Sequence, residues 1–102
     1  MEKIEQKLEL SPEEQKEQAV NKTVEDLGLL AGNIVEKKGW YHNDQETENN
    51  VVAHEENYVE IALWFDTEEN LKEAEKVLKE KHYHAAINSE EGGNYLDIEY
   101  SL

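Results

Sequence analysis

The sequence predicts an α+β domain: a four- to five-stranded antiparallel or mixed sheet, with a long N-terminal helix and a second helix packed on one face. Three features predict it. An apolar stripe at spacings of three and four follows the tetrad SPEE. The stretch YVEIALWFD alternates strictly between apolar and other residues. The last third reads strand, helix, strand, strand, a β-α-β-β unit.

The first helix has a complete start signal. Ser11 can cap the free amides, Pro12 sits where its missing N–H costs nothing, and Glu14 completes a capping box. Ala19, Val20, Thr23, Val24, Leu27, Leu30, Ala31, Ile34 and Val35 then recur on one face, and Gly39 suits a C-terminal stop after Lys37 and Lys38. The spacing predicts a helix over 12–38. Gly28 and Gly32 fall inside it, each costing about 1 kcal/mol against alanine, and close approach of another backbone is the expected reason for them. Ahead of it, residues 1–10 hold Ile4 and Leu8 at helical spacing, as a flexible arm or a short helix. Residues 11–102 form the single domain.

Strands are expected near 40–43, 50–55 and 58–66, linked by hairpins. In the last, Val59, Ile61, Leu63 and Phe65 form the buried side. Asp66 or Thr67 caps a second helix, whose Leu71, Ala74, Val77 and Leu78 give a narrow apolar stripe ending near His82. Strand 83–88 turns Tyr83, Ala85 and Ile87 inward. SEEGGN is a turn, and YLDIEY closes the chain with Leu96, Ile98 and Tyr100 inward. Right-handed crossover makes strands 58–66 and 83–88 parallel, in an order like half of a ferredoxin-like domain. That likeness is one of topology alone.

The charge bounds the function. Twenty-five acids stand against ten bases, all ten lysine, for a net charge of −15. Residues 1–27 carry 8 acids and 4 lysines, 28–66 carry 8 and 2, and 67–102 carry 9 and 4, so no tail explains the excess. Such a surface repels nucleic-acid phosphates and anionic membranes and attracts basic protein surfaces. Without arginine it lacks the fork that grips phosphate or guanine in bidentate fashion. Direct binding of nucleic acid or membrane is therefore not expected. There is no cysteine, hence no disulfide framework or thiolate chemistry, and a cytoplasmic setting is the expectation.

Candidate chemistry is sparse. Counting from Asp44, the residues Glu46, Glu48 and Glu55 fall at positions 3, 5 and 12, as in an EF-hand loop. Asn49 stands where that loop needs glycine, and strands rather than helices flank it. His42, His54, His82 and His84 lack the spacing of a zinc site. Ser11, Ser89 and Ser101 sit at a cap, a turn and an end, with no nucleophile-elbow or phosphate-loop pattern nearby. No cofactor and no catalytic residue is expected.

What stands out is the other side of the alternating strands. Tyr58, Glu60 and Trp64 from one strand and Tyr95, Asp97 and Glu99 from another face away from the expected core, with His84 beside them. Half-solvated strands often carry such residues simply to stabilise the sheet. The alternative is a partner-binding face, in which aromatic rings anchor and carboxylates steer. The loop acids Asp44, Glu46 and Glu48 are further candidates, because few lysines lie nearby. In size, acidity and absence of cysteine the chain resembles nucleic-acid-mimicking inhibitors carried by phages and mobile elements, anti-CRISPR proteins among them. It also resembles immunity proteins against nuclease toxins. The expected role is a non-enzymatic inhibitor of a nuclease or nucleic-acid-binding protein, acting as a monomer or weak dimer. A homodimeric regulatory subunit burying Trp64 and Tyr95 is the competing expectation.

Overall fold

A computed structural model describes residues 11–48 and 51–102, with side chains described for 11–42 and 57–102. The expectations for residues 1–10 lie outside the described residues. The order of elements is α1 (Pro12–Leu27), a 3-10 helix (Gly28–Asn33), β1 (Ile34–Glu48), β2 (Val51–Phe65), α2 (Glu68–Glu80), β3 (His84–Glu90) and β4 (Gly93–Ser101). The strands form one sheet in the order β1-β2-β4-β3, each antiparallel to its neighbour. β2 and β3 thus run in the same direction, as the crossover argument requires, with β4 inserted between them.

Both helices lie on one face. Ala19 and Leu27 of α1 and Leu71, Ala74 and Leu78 of α2 close over Val59, Ile61, Leu63, Ala85, Leu96 and Ile98 in a single core. Burying each valine, leucine or isoleucine among them contributes roughly 1.5–3 kcal/mol, so the alternation along β2 and β4 fixes which way the sheet faces. Thr23 is the buried polar residue of this layer, and its hydroxyl donates to the Ala19 carbonyl at 2.9 Å. The capping box forms as expected. The Ser11 hydroxyl accepts from the Glu14 amide at 3.2 Å, and the Glu14 carboxylate accepts from the Ser11 amide at 3.0 Å. Thr67 caps α2 by accepting from the Asn70 amide at 3.1 Å. Its neighbour Asp66 accepts from the Asn70 side chain at 2.8 Å and from the Asn33 side chain at 2.9 Å, tying the start of α2 to the end of the 3-10 helix.

The helix expected over 12–38 is shorter. α1 stops at Leu27, because Gly28 takes φ +62° and ψ −124°, a positive-φ conformation outside the helical region that glycine adopts without a Cβ clash. Close packing does not explain Gly28 or Gly32, since a Cβ at either would meet nothing within 4 Å. The close approach is at Gly39, where a Cβ would lie 2.9 Å from Val20 Cγ2 and 3.2 Å from Lys16 Cγ. Gly39 is therefore a strand residue that lets α1 settle on β1. The residues read as the end of a helix, Ile34 to Lys38, open β1 instead.

The hairpin also differs. The strands expected near 40–43 and 50–55 are parts of two strands of fifteen residues each, paired from Ile34↔Phe65 to Glu48↔Val51. β4 pairs with β2 only from Tyr58 to Leu63, so the far half of the β1–β2 ribbon has no β4 partner. The register slips beside Val35, which is left 65% exposed.

Candidate functional site

The face of the sheet opposite the helices carries the candidate residues. Pairing registers set them in rows. Trp40, Glu60, Glu99 and His84 cross the four strands in one row, and Lys38, Ala62, Asp97 and Ala86 in the next. His42 lies opposite Tyr58 and Glu36 opposite Trp64 at the two ends. Of the nine residues picked from sequence, this brings six together: Tyr58, Glu60, Trp64, Tyr95, Asp97 and Glu99. Asp44, Glu46 and Glu48 belong to the far half of β1, paired toward Glu56, His54 and Val51, and their side chains lie outside the described residues. That antiparallel pairing also replaces the helix-flanked loop that EF-hand spacing would need.

Two aromatic stacks bracket the acids. Trp64 stacks on Tyr95 with ring centres 5.1 Å apart, and His42 stacks on Tyr58 at 4.7 Å. The Lys38 ammonium sits 5.3 Å from the Trp64 ring centre and 3.5 Å from the Glu36 carboxylate, so its charge is already engaged. Neither tryptophan belongs to the core: Trp64 is half-buried and Trp40 is 44% exposed. Ala62 is 1% exposed although it belongs to this face. Its small side chain forms the floor between Lys38 and Asp97.

Between the stacks the carboxylates crowd. Glu60 and Glu99 are directly opposite on β2 and β4, an arrangement that costs stability in a sheet. The Glu60 carboxylate is 3.2 Å from His42 Nε2, and Asn88 donates to Asp97 at 2.9 Å. Partial burial raises the Asp97 pKa above the ordinary carboxylate range, and the neighbouring Glu60 charge and a hydrogen bond to Glu60 push the same way. The Glu99 carboxylate makes no hydrogen bond or ion pair among the described residues. These acids line an open trough of about 530 Å³ with Tyr58, His84 and Ala86.

No family model matches the chain, and no curated protein or solved structure gives a match either. The geometry of this face is therefore the basis for any functional reading.

Chemically, the face can hold a cation and lay apolar surface on either side of it. Among the described residues, no group of three or more histidines and carboxylates is arranged to hold a metal ion. His82, at φ +70°, occupies the turn after α2, and His84 lies on the sheet opposite Glu99. No described helix is long and apolar enough to cross a membrane.

Sequence reasoning overlooked Trp40, His42 and Lys38 as members of this face. The signal was present in the alternation Glu36, Lys38, Trp40, His42. It was hidden because Ile34 to Lys38 also continues the helical stripe.

Proposed function

We propose that this protein is an acidic binding module that docks its open sheet face on a basic protein surface. It acts there as a stoichiometric inhibitor of a nuclease or nucleic-acid-binding protein. The observation that carries this reading is the arrangement of Glu60, Asp97 and Glu99 between the Trp64–Tyr95 and His42–Tyr58 stacks. Like charges held side by side cost the fold stability, and a cationic surface set against them turns that cost into affinity. Half-buried aromatic rings at both ends supply the apolar contacts that dominate interface energies. The net charge of −15 draws a basic partner from a distance, and a protein that handles nucleic acid presents the large positive groove to match. The same charges disfavour pairing of this face with a second copy, since Glu60, Asp97 and Glu99 would meet their own kind.

Titration against purified basic nucleases and nucleic-acid-binding proteins, followed by calorimetry at rising salt, tests the proposal. A one-to-one complex that weakens steeply with salt supports it. Absence of a salt-sensitive complex with every basic target removes it.

A further inference from the structure

We propose that the outer edge of β1 is a pairing surface for a second copy of this chain, whose own β1 adds antiparallel about a two-fold axis at Gly39. Such a seam leaves the open sheet face uncovered, so it stands or falls apart from the docking reading.

Independent observations meet at this edge. β1 ends the sheet order, and no described strand pairs with its outer side. It is fifteen residues long, against seven for β3, the other edge strand. Its pairing with β2 runs without a slip from Glu36 to Glu46, so that stretch is a regular strand. An open edge of this kind presents a row of backbone N–H and C=O groups able to bond another strand. The same stretch is the least acidic part of the molecule's surface. From Leu27 to Asn43 the chain holds one acid, Glu36, against Lys37 and Lys38, within a net charge of −15. Leu29, Val35 and Trp40, three of the four large hydrophobic residues exposed among the described side chains, fall there too. A groove of about 520 Å³ opens alongside, between α1 and β1.

The residues along the edge select a second copy and its register. With Gly39 opposite Gly39, the open-face residues pair as Lys38 with Trp40 and Glu36 with His42, each pair occurring twice. Lysine over an indole is attractive, and neither pair sets like charges together. Moving the axis by one residue spoils the match. An axis at Lys38 sets that lysine against itself, and one at Trp40 sets Glu36 opposite Asp44. On the helix side, Lys16 and Val20 of α1 sit against Gly39. The same axis therefore carries Lys37 toward Glu13 and Glu17 of the second copy, which line its groove. Lysines on an edge ordinarily guard against pairing. Here Lys38 is already answered by Glu36 at 3.5 Å and by the Trp64 ring, and a basic edge is what lets two acidic bodies meet. Those bodies repel at long range, and salt screens the repulsion. Pairing at the edge thus tightens as salt rises, the opposite of docking on a basic partner.

The test is sedimentation velocity of the whole chain over a dilution series at low and high salt. The expected result is a reversible dimer whose share grows with concentration and with salt. Trp40→Lys sets lysine opposite lysine across the seam and should weaken the dimer several-fold, with the far-UV circular dichroism unchanged. General charge repulsion predicts the reverse, since that substitution makes each copy less negative. The chain has no cysteine, so cross-linking can read the register. In a mixture of Lys38→Cys and Trp40→Cys chains, the mixed disulfide should form faster than either chain's disulfide with itself. A monomer at every concentration and salt overturns the seam, as does a dimer that Trp40→Lys leaves intact or strengthens. Faster cross-linking of either cysteine variant with itself overturns the axis at Gly39. A monomer that dimerises only when Ile4→Ser and Leu8→Ser are introduced gives the edge to residues 1–10 and overturns the assignment to a second copy.

Discussion

Trp64 illustrates how a single side chain separates core from site. It lies on a strand whose alternate residues Val59, Ile61 and Leu63 are fully buried, yet it faces the other way and rests on Tyr95. Trp64→Ala removes a cross-strand contact of about 0.2–1 kcal/mol in folding. It should cost about 2 kcal/mol or more in partner affinity if the ring is an anchor. Denaturant unfolding and calorimetry on the same variant check the two numbers. Tyr83 is the opposite case, a residue working for the fold. Its hydroxyl donates to Asp26 at 2.5 Å, joining α1 to the start of β3. That bond lowers the Asp26 pKa, while burial and the same bond hold Tyr83 well above its ordinary value. Stability from Asp26 is present above its unfolded pKa and is lost as pH falls through the lower folded one. Stability from Tyr83 is present below about pH 10, the unfolded value, and is lost as pH rises through the higher folded one. Tyr83→Phe should therefore lower stability by about 1–2 kcal/mol at neutral pH. It should also flatten both the acid and alkaline limbs of the stability profile, measured by urea unfolding across pH.

At the scale of elements, the strict alternation of β2 and β4 was readable from sequence because each inward residue is apolar and each burial is worth more than any local preference. The capping box of α1 and the threonine cap of α2 were equally readable, since those signals are local. The end of α1 was not. Leu30, Ala31, Ile34 and Val35 continue a helical stripe, and only tertiary pairing with β2 pulls Ile34 and its successors into a strand. Gly39 makes the point, looking like a helix stop while serving as the gap into which α1 fits. Gly39→Ala should destabilise by about 1–3 kcal/mol through overpacking against Val20. Val20→Ala should relieve much of that in a double-mutant cycle. The turn after α2 invites the reverse experiment. His82 holds φ +70° while the Tyr83 amide bonds back to the Leu78 carbonyl at 2.9 Å, a helix ending that favours glycine. His82→Gly should raise stability by about 1 kcal/mol, read as an upward shift of the thermal midpoint.

For the whole molecule, the question is whether charge acts through a place or through its total. Six of the nine residues picked from sequence share the open face because strand parity sorts residues by face before any coordinates exist. The β1 contribution was missed because its strand assignment depends on the pairing. The acids of α1 are spread along a helix, with Glu13 bound to Lys16 at 3.0 Å and Asp26 bound to Lys22 at 3.5 Å. Those of the open face stand together between aromatic stacks. A bulk effect would treat the two sets alike, whereas a docking site would not.

The measurement that separates these is displacement of nucleic acid from a basic nuclease by two variants that each lose three negative charges. One carries Glu60→Gln, Asp97→Asn and Glu99→Gln, and the other Glu13→Gln, Glu17→Gln and Glu25→Gln. The open-face variant should lose competition while the helix variant keeps it nearly intact. Equal loss in both, or full competition by the open-face variant, would contradict the account.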